Sequence, residues 1–357
     1  GLMLLSLASS SLAAEQRWQN VQRVVAFGDV HGANEALLEL LRFLEIIDAD
    51  HHWIGGQTHL VSLGDLLDRG PDSRAAMDLL IRLQSEADAA GGKVHVVLGN
   101  HELMNLTGDL RYVSAGEYAA FAADETPQMR AAGFAQLFNS GIEFDESQYP
   151  PGFFAHREAF TAQGRYGRWL LDQPAIVVVN DSAFVHAGIP DWLNQYSLQS
   201  INEQVSKDLR RLLAIGSERV ADAAIPAWRD LLDSTITTPE DEELSWLQQS
   251  PFLTGKGPFW YRGNALCHRQ IEAGVIDRAL ENFAVKRLVM GHSPTTTRRI
   301  QQRFDNKVIL ADTGMLHSYY KGQPSALIQD SDGLRFAYAD SREVTDVALL
   351  PRRDQKT

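Results

Sequence analysis

Short runs of consecutive apolar residues recur along the chain and end in glycine or polar residues. Adjacent apolar residues, rather than alternating ones, are typical of strands buried on both faces. The runs that predict strands are Arg23–Phe27, His59–Leu63, Val94–Leu98, Ala175–Val179, Ala183–His186, Arg287–Met290 and Val308–Leu310. Asn180-Asp181 predicts a hairpin turn between two of them. Asp330–Gly333 predicts another turn, before the segment Leu334–Ala339.

Apolar residues at helical spacing separate the first strands. Asn34–Leu44 and Ser73–Leu83 carry leucines at intervals of three and four residues, which predicts amphipathic helices. Strands and helices alternate from residue 23 to about 110, so we expect an α/β fold.

Two later segments, at about 112–172 and 191–255, are mostly helical in pattern, polar and irregular. Because motifs of reactive residues lie on both sides of each segment, we interpret them as helical insertions into a single domain. That domain covers residues 15–345, and residues 346–357 form a C-terminal tail.

The composition is that of a soluble globular protein, with 44% hydrophobic and 22% charged residues in 357. The formal net charge of −13 argues against nucleic acid and anionic membranes as partners, because both bind basic surfaces. An acidic protein that binds phosphate must concentrate positive charge locally, and metal ions are one way to do so.

Residues 1–14 are an apolar run that closes in small residues, with Ser11 and Ala13, or Leu12 and Ala14, at signal-peptidase spacing. We expect a remnant of a secretory signal and therefore a periplasmic or secreted protein. The alternative is an ordinary N-terminal helix. The run is too short to span a membrane, and no later segment is apolar enough to do so.

Five predicted strands lead directly into acidic, amide or imidazole residues, most of them next to glycine. The endings are Gly28-Asp29-Val30-His31, Gly64-Asp65, Gly99-Asn100-His101, Val185-His186 and Gly291-His292. A lone Asp after a strand is usually a helix cap, and a lone His is usually a core residue. Five such endings in one chain favour a ligand site at the carboxyl ends of the strands. Carboxylate, imidazole and amide ligands suit Mn, Fe or Zn better than calcium.

The motifs formed by these residues resemble the calcineurin-like metallophosphoesterases, in particular the phosphoprotein phosphatase class. Gly-Asp-x-His-Gly, Gly-Asp-x-x-Asp-Arg-Gly and Gly-Asn-His-Glu occur here in the order of that class. Gly-Asp-Leu-Arg-Tyr-Val at 108–113 and Gly-Pro-Phe-Trp-Tyr-Arg-Gly at 257–263 are similar to the bacterial Shewanella-like protein phosphatases. The resemblance covers about residues 23–315 and implies an α-β-β-α sandwich.

The resemblance also implies a role for each motif residue. Two metal ions, with Mn expected and Fe or Zn as alternatives, activate a water for direct attack on phosphorus. The first metal is held by Asp29, His31 and Asp65; Asp65 bridges to the second metal, which is completed by Asn100, His186 and His292.

The same resemblance assigns the groups around the phosphate. His101 donates the proton to the leaving group, and Asp68 orients it and keeps it protonated. Arg69 and Arg262, together with Asn100, bind phosphate. A turn residue at Asp68 and a surface ion pair at Arg262 are the alternatives. Glu102 is expected to brace its loop, and Trp260 and Tyr261 either line the groove or belong to the core.

One segment departs from the eukaryotic pattern. Those members carry Ser-Ala-Pro-Asn-Tyr after the last metal histidine, whereas this chain has Leu-Ala-Asp-Thr-Gly-Met at 310–315. The tyrosine of that segment, which borders the site in the eukaryotic members, is therefore expected to be missing here.

These observations predict a phosphomonoesterase acting on phosphotyrosine or phosphoserine/threonine in a protein or peptide, or on small phosphate esters. The alternatives are a dinucleotide polyphosphate hydrolase, such as one that cleaves diadenosine tetraphosphate, and a non-catalytic metal-binding scaffold. The scaffold would lack a metal ligand or the acid, and this chain has both.

Overall fold

A computed structural model of the protein describes residues 16–141, 143–222, 228–236 and 241–347. The expected signal remnant at 1–14 lies outside the described residues, as does most of the expected tail. The strands are β1 (Arg17–Trp18), β2 (Val24–Phe27), β3 (His59–Ser62), β4 (Lys93–Val96), β5 (Ile176–Val179), β6 (Ser182–Val185), β7 (Arg287–Met290), β8 (Gln301–Arg303), β9 (Val308–Leu310), β10 (Ser325–Asp330), β11 (Gly333–Tyr338) and β12 (Glu343–Asp346).

Helices alternate with the early strands and fill the two long segments. They are α1 (Asn34–Phe43), α2 (Ser73–Ala89), α3 (Asn100–Thr107), α4 (Ala115–Ala119), α5 (Pro127–Asn139), α6 (Phe153–Ala159), α7 (Arg165–Leu171), α8 (Leu198–Ala221), α9 (Glu242–Gln248), α10 (Gly263–Leu266), α11 (Arg269–Phe283) and α12 (His317–Tyr320). Short 3-10 turns occur at Glu146–Gln148, Asp191–Gln195 and Ser234–Ile236. Helices α4 to α7 lie in the first expected insertion, and α8 and α9 lie in the second. No helix among the described residues is long and apolar enough to cross a membrane.

The described strands form two mixed sheets of six strands each. One has the order β1-β5-β6-β7-β9-β8 and the other β12-β11-β10-β2-β3-β4. Strands β2, β3 and β4 are parallel neighbours, and so are β6, β7 and β9. Parallel neighbours place their carboxyl ends at one edge of the sheet, where the sequence puts the predicted ligands.

Consecutive apolar residues in these strands belong to two different cores. Val24 and Ala26 of β2 pack with Val177 and Phe184 of the other sheet, so the inner faces of the sheets meet. The alternate residues of each strand pack with residues of the helices, among them α1, α2, α8 and α11. The expected α-β-β-α sandwich is confirmed.

Each of the seven predicted strands is present, with ends shifted by at most two residues. Both predicted turns are confirmed, since β5 pairs with β6 and β10 with β11 in antiparallel hairpins. Strands β1, β8 and β12 were not predicted because they are short and half-buried or partly exposed, without apolar runs.

Candidate metal centre and active site

The turns that follow β2, β3, β4, β6 and β7 are tied to one another by hydrogen bonds. The N–H groups of Val30 and His31 both donate to the carbonyl oxygen of Asp65, at 2.9 Å each. The N–H group of His292 donates to Asp29 Oδ1 at 2.9 Å. The six predicted metal ligands are therefore brought together, and all are buried: Asp29, His31, Asp65, Asn100, His186 and His292.

Four potential ligand atoms converge around His186. Its Nε2 lies 3.3 Å from Asp65 Oδ2, 2.9 Å from Asn100 Oδ1 and 3.1 Å from His292 Nδ1. Its Nδ1 donates to the carbonyl oxygen of Leu63 at 2.7 Å. Since that nitrogen carries the proton, the lone pair of a neutral His186 is on Nε2 and points at the other three atoms.

A second set of ligand atoms surrounds His31 and shares Asp65. His31 Nδ1 donates to the carbonyl oxygen of Leu67 at 2.8 Å, which leaves the lone pair on Nε2. That Nε2 lies 3.8 Å from Asp29 Oδ2 and 3.7 Å from Asp65 Oδ2. Because Asp65 Oδ2 faces both sets, it occupies the position of a bridging ligand.

The chemistry of these donors fits two metal ions. Burial and the nearby carboxylates of Asp312 and Asp65 raise the pKa of Asp29 well above its usual value. Burial lowers the pKa of His31 to about 3 and that of His292 to about 2, so both imidazoles are neutral at neutral pH. The carboxyl groups of Asp29 and Asp65 are buried beside these two neutral imidazoles, and divalent cations would add positive charge there. Asp29, His31 and Asp65 would hold one ion, and Asp65, Asn100, His186 and His292 the other.

The backbone of the site is held in an unusual conformation. Several predicted site residues have left-handed φ angles between +48° and +71°, namely His31, Asp65, Asp68, Arg69 and His292. Non-glycine residues adopt such angles only where the surroundings enforce them. Glu102 supplies part of that constraint, because its carboxylate accepts hydrogen bonds from the N–H groups of Asp65, Leu66 and Gly99 at 2.7–2.8 Å. The expected bracing role of Glu102 is confirmed.

His101 and Asp68 form a buried pair next to the bridging ligand. His101 Nδ1 donates to Asp68 Oδ2 at 2.5 Å, and His101 Nε2 lies 3.9 Å from Asp65 Oδ2. Burial opposes a charge on His101, but Asp65 and Asp68 outweigh it and raise the pKa of His101 above its ordinary value. When protonated, this imidazole presents an N–H toward the shared ligand; its role as a proton donor stays a prediction.

Asn105 is a member of this group that the sequence did not reveal. Its Nδ2 donates to Asp68 Oδ1 at 2.9 Å and to the carbonyl oxygen of His101 at 3.0 Å. The position four residues after His101 on helix α3 was the available signal, because such residues share a helix face.

Arg69 points into the site and is surrounded by tyrosines. Its Nη1 donates to His31 Nε2 at 2.7 Å and to the hydroxyl of Tyr320. Its guanidinium lies 5.1 Å from the ring of Tyr112, 5.3 Å from Tyr319 and 5.4 Å from Tyr320. Tyr112 and Tyr319 are also exposed to solvent. The phosphate-binding role of Arg69 stays a prediction.

A tyrosine that the sequence analysis did not identify borders the site. The segment 310–315 contains none, but helix α12 follows it and returns Tyr320 to the site. The Tyr320 ring stacks on His31 at 5.6 Å between ring centres. The sequence comparison missed this residue because it lies beyond the segment that was matched.

The last predicted phosphate ligand, Arg262, lies beside the final metal histidine. Its Nη1 donates to the carbonyl oxygen of His292 at 2.8 Å and to Ser293 Oγ at 2.9 Å. Trp260 sets its ring edge-on to His292 at 6.2 Å between centres, so it borders the site. Tyr261 instead donates its hydroxyl to Glu272 at 2.7 Å and serves the structure of its loop. Phosphate binding by Arg262 stays a prediction.

Two further buried carboxyl groups lie behind the ligands. Asp312 hydrogen-bonds Asp29, and burial raises the pKa of Asp312 to about 6. Glu117 of α4 lies near Asp68, and burial together with Asp68 raises the pKa of Glu117 to about 8. Neither contact could be predicted from the sequence, because the partners are distant along the chain.

Comparison with known proteins agrees with this geometry. The sequence profile of the calcineurin-like phosphoesterases matches residues 22–296, most of the chain. The chain belongs to the calcineurin-like phosphoesterases. Members of this family bind two metal ions, and this phosphoesterase is a metal-dependent phosphatase.

Two relatives carry the name Shewanella-like protein phosphatase, as the resemblance predicted. Shewanella-like protein phosphatase 2 of Arabidopsis thaliana is 28% identical over 350 residues, covering 92% of this chain and 80% of the relative. Shewanella-like protein phosphatase 1 of Plasmodium berghei is 24% identical over 306 residues, covering 85% of this chain and 69% of the relative. The crystal structure of a cold-active protein-tyrosine phosphatase from a psychrophilic Shewanella sp. is 26% identical with a TM-score of 0.64, covering 94% of this chain and 83% of that one.

Proposed function

We propose that this phosphoesterase is a protein phosphatase that removes phosphate from phosphotyrosine, phosphoserine or phosphothreonine, with manganese as its expected metal. The observation that carries the proposal is the position of Asp65. Its Oδ2 lies between the two sets of ligand atoms and within 3.9 Å of His101 Nε2. The proposed metal positions and the proposed proton donor therefore face the same carboxylate oxygen.

Each group has a part in the proposed reaction. When bound, the two cations supply a nucleophilic water at neutral pH and screen the charge of the phosphate. Arg69 and Arg262 orient the phosphate oxygens through charged hydrogen bonds. His101 passes its Nε2 proton to the leaving oxygen, and Asp68 stabilises the imidazolium until then. The alcohol or phenol leaves, and the added water ends as part of inorganic phosphate.

The tyrosines around Arg69 support a peptide substrate. The exposed rings of Tyr112 and Tyr319 lie at the approach to the guanidinium, where side chains flanking a phosphorylated residue could pack. Two relatives named protein phosphatases and a solved protein-tyrosine phosphatase support the same substrate class.

A substrate panel tests this function. Phosphotyrosine, phosphoserine and phosphothreonine peptides and diadenosine tetraphosphate are incubated with the protein and Mn²⁺, and released phosphate or nucleotide is measured. Asp65→Asn serves as the matched inactive control. We expect the peptides to be hydrolysed. Cleavage of the dinucleotide alone would replace the proposal with the hydrolase alternative, and metal binding without any hydrolysis would indicate a scaffold.

We further propose that the protein is periplasmic or secreted, on the composition of residues 1–14 alone. An apolar run that closes in small residues at peptidase spacing supports this location. N-terminal sequencing of protein from its native host should find a mature chain that starts near residue 14 or 15. A cytosolic protein that retains residues 1–14 would contradict the proposal.

A further inference from the structure

A cavity of about 490 Å³ lies between the two helical insertions and borders helix α3. We name it the insertion cavity. Its walls come from α3, α5, α6 and α8 and from residues 228–231, with apolar side chains that include Leu106, Leu213, Val220 and Trp228. Its volume is that of ordinary small-molecule sites, which hold roughly 300–1,000 Å³.

The insertion cavity has one buried charged group among its described lining residues, Arg157 of α6. Arg157 is only 7% exposed. Its Nη1 donates to the carbonyl oxygen of Asn105 at 2.7 Å. Its Nε has no hydrogen-bond partner, and Arg157 has no ion pair within the part of the chain that the structure describes. Glu158 and Arg229 also line the cavity but are exposed, so they belong to its mouth.

A buried guanidinium without a carboxylate is costly and uncommon. Burial lowers the pKa of Arg157 only to about 10, so the group remains charged at neutral pH. The Nε edge of a guanidinium is one of the faces that pairs with a carboxylate through two parallel hydrogen bonds. The positive charge of Arg157 therefore favours an anionic group on a ligand. The apolar walls favour an apolar chain attached to that group.

We infer that the insertion cavity is a binding site for a small organic monocarboxylate, whose head pairs with Arg157 and whose chain packs on Leu213, Val220 and Trp228. A single negative charge matches the single buried positive charge. This site is separate from the metal centre and belongs to the insertions.

The cavity is connected to the proton donor through helix α3. Arg157 holds the carbonyl oxygen of Asn105, and the Asn105 side chain holds Asp68, the partner of His101. A ligand that moves Arg157 shifts the residue that orients Asp68. We therefore expect occupancy to change kcat by about fivefold or more, the usual lower end of coupling between two sites.

Titration calorimetry on the full, metal-loaded chain tests the site with octanoate as the probe. The matched ligands are 1-octanol, which lacks the charge, and acetate, which lacks the chain. We expect saturable binding of octanoate and much weaker binding of both controls. Arg157→Met should weaken octanoate binding by roughly 10- to 100-fold, the worth of hydrogen bonds to a charged group.

Two further variants serve as controls for the position of the binding site. Ala162→Trp fills the cavity while keeping Arg157, so it should abolish binding even if Arg157→Met fails to fold. Arg130→Met removes an arginine of α5 that pairs with Glu125 outside the cavity, and it should bind octanoate like the wild type. Absence of saturable binding to the wild type, or equal binding to Ala162→Trp, would overturn the site.

Steady-state kinetics on a phosphoserine peptide test the coupling. A carboxylate that binds the metal centre would raise KM, and acetate would do the same. Occupancy of the insertion cavity should instead change kcat. We expect this change with octanoate but not with acetate, and in the wild type but not in Ala162→Trp. An unchanged kcat at saturating octanoate would overturn the coupling to His101.

Discussion

We propose that His101 moves a proton and does not bind metal. Its Nδ1 is occupied by Asp68, and its Nε2 faces the ligand shared by the two metal positions. His186, in contrast, directs Nε2 at three other ligand atoms. Substitutions of these two histidines should therefore have different effects on metal content and on kcat.

Changing His101 to Asn should lower kcat by about 10²–10⁴ while both metals stay bound, because a positioned general acid contributes that much. The loss should be greater for phosphoserine than for an aryl ester such as nitrophenyl phosphate, whose leaving anion is more stable. Steady-state kinetics on both esters and elemental analysis of the metal content measure this.

His186→Asn is the comparison variant. It should lose metal and reduce the hydrolysis of both esters alike. An equal loss on both esters in His101→Asn, or a loss of metal from that variant, would show that His101 has another role.

The buried carboxyl of Glu117 makes stability depend on pH. Its pKa is raised from 4.5 to about 8, so between these values the folded state keeps a proton that the unfolded state has lost. Stability from this group therefore falls as pH rises through that window. In Glu117→Gln the dependence is removed, and the variant should gain stability relative to the wild type from pH ~5 to ~9.

Denaturant unfolding of both proteins across this pH range gives the difference in free energy. Glu146→Gln changes an exposed glutamate in a 3-10 turn and is the control. This variant retains Glu117, so its stability should still fall as pH rises through the window. A flat difference between Glu117→Gln and the wild type would mean that Glu117 titrates in the folded protein as it does in the unfolded chain.

The site residues that the sequence identified are those in contiguous motifs at strand ends. Asp65 and His101 could be assigned because their neighbours in sequence are their neighbours in the site. Tyr320, Asn105 and Asp312 could not, because their contacts depend on how distant segments pack. The left-handed backbone conformation of Asp65 could not be predicted from the sequence either, since residue propensity alone does not predict such φ angles for aspartate.

At the scale of elements, the glycines after the strands allow neighbouring turns to touch. Gly64 has a φ of +89°, and a Cβ placed there would lie 2.5 Å from the backbone nitrogen of Gly99. Gly333, in the β10–β11 turn, has a similar φ of +105° but no atom within 4 Å of such a Cβ. An added Cβ would therefore meet both backbone strain and a steric clash at Gly64, but backbone strain alone at Gly333.

Gly64→Ala should therefore destabilise the protein more than Gly333→Ala. The second variant carries only the cost of a left-handed alanine, about 1–2 kcal/mol, and the first adds a clash between two backbones. Chemical denaturation of both variants measures the free energy of unfolding. Equal losses would mean that the turn after β3 can move away from Gly99 without cost.

The elements that the sequence predicted best were those with continuous apolar runs. Strands β2, β3, β5 and β7 bury both faces, and that pattern is unambiguous. The edge strands β8 and β12 bury little and resemble loops in sequence. Helix α2 extends to Ala89, beyond the predicted end at Leu83. The prediction stopped early because the last turns of the helix are mostly polar and lack apolar residues at helical spacing.

At the scale of the whole molecule, the local pattern predicted an α/β fold and the family resemblance predicted its four layers, but neither predicted the strand order. Strand β10 inserts beside β2, almost three hundred residues earlier in the chain, and this pairing has no local signature. The insertions were recognised as irregular, yet the cavity between them depends on side-chain packing. Local patterns thus predicted the strands and helices, while long-range contacts determine which surfaces meet.

The most direct test of a two-metal centre is phosphate release from nitrophenyl phosphate by chelator-treated protein, before and after Mn²⁺ is added. Activity should vanish with the metal and return with it. Asp65→Asn should be the most damaging ligand change, because Asp65 serves both positions and asparagine tolerates its left-handed backbone. Full activity in protein shown by elemental analysis to be free of metal would contradict the assignment of this site.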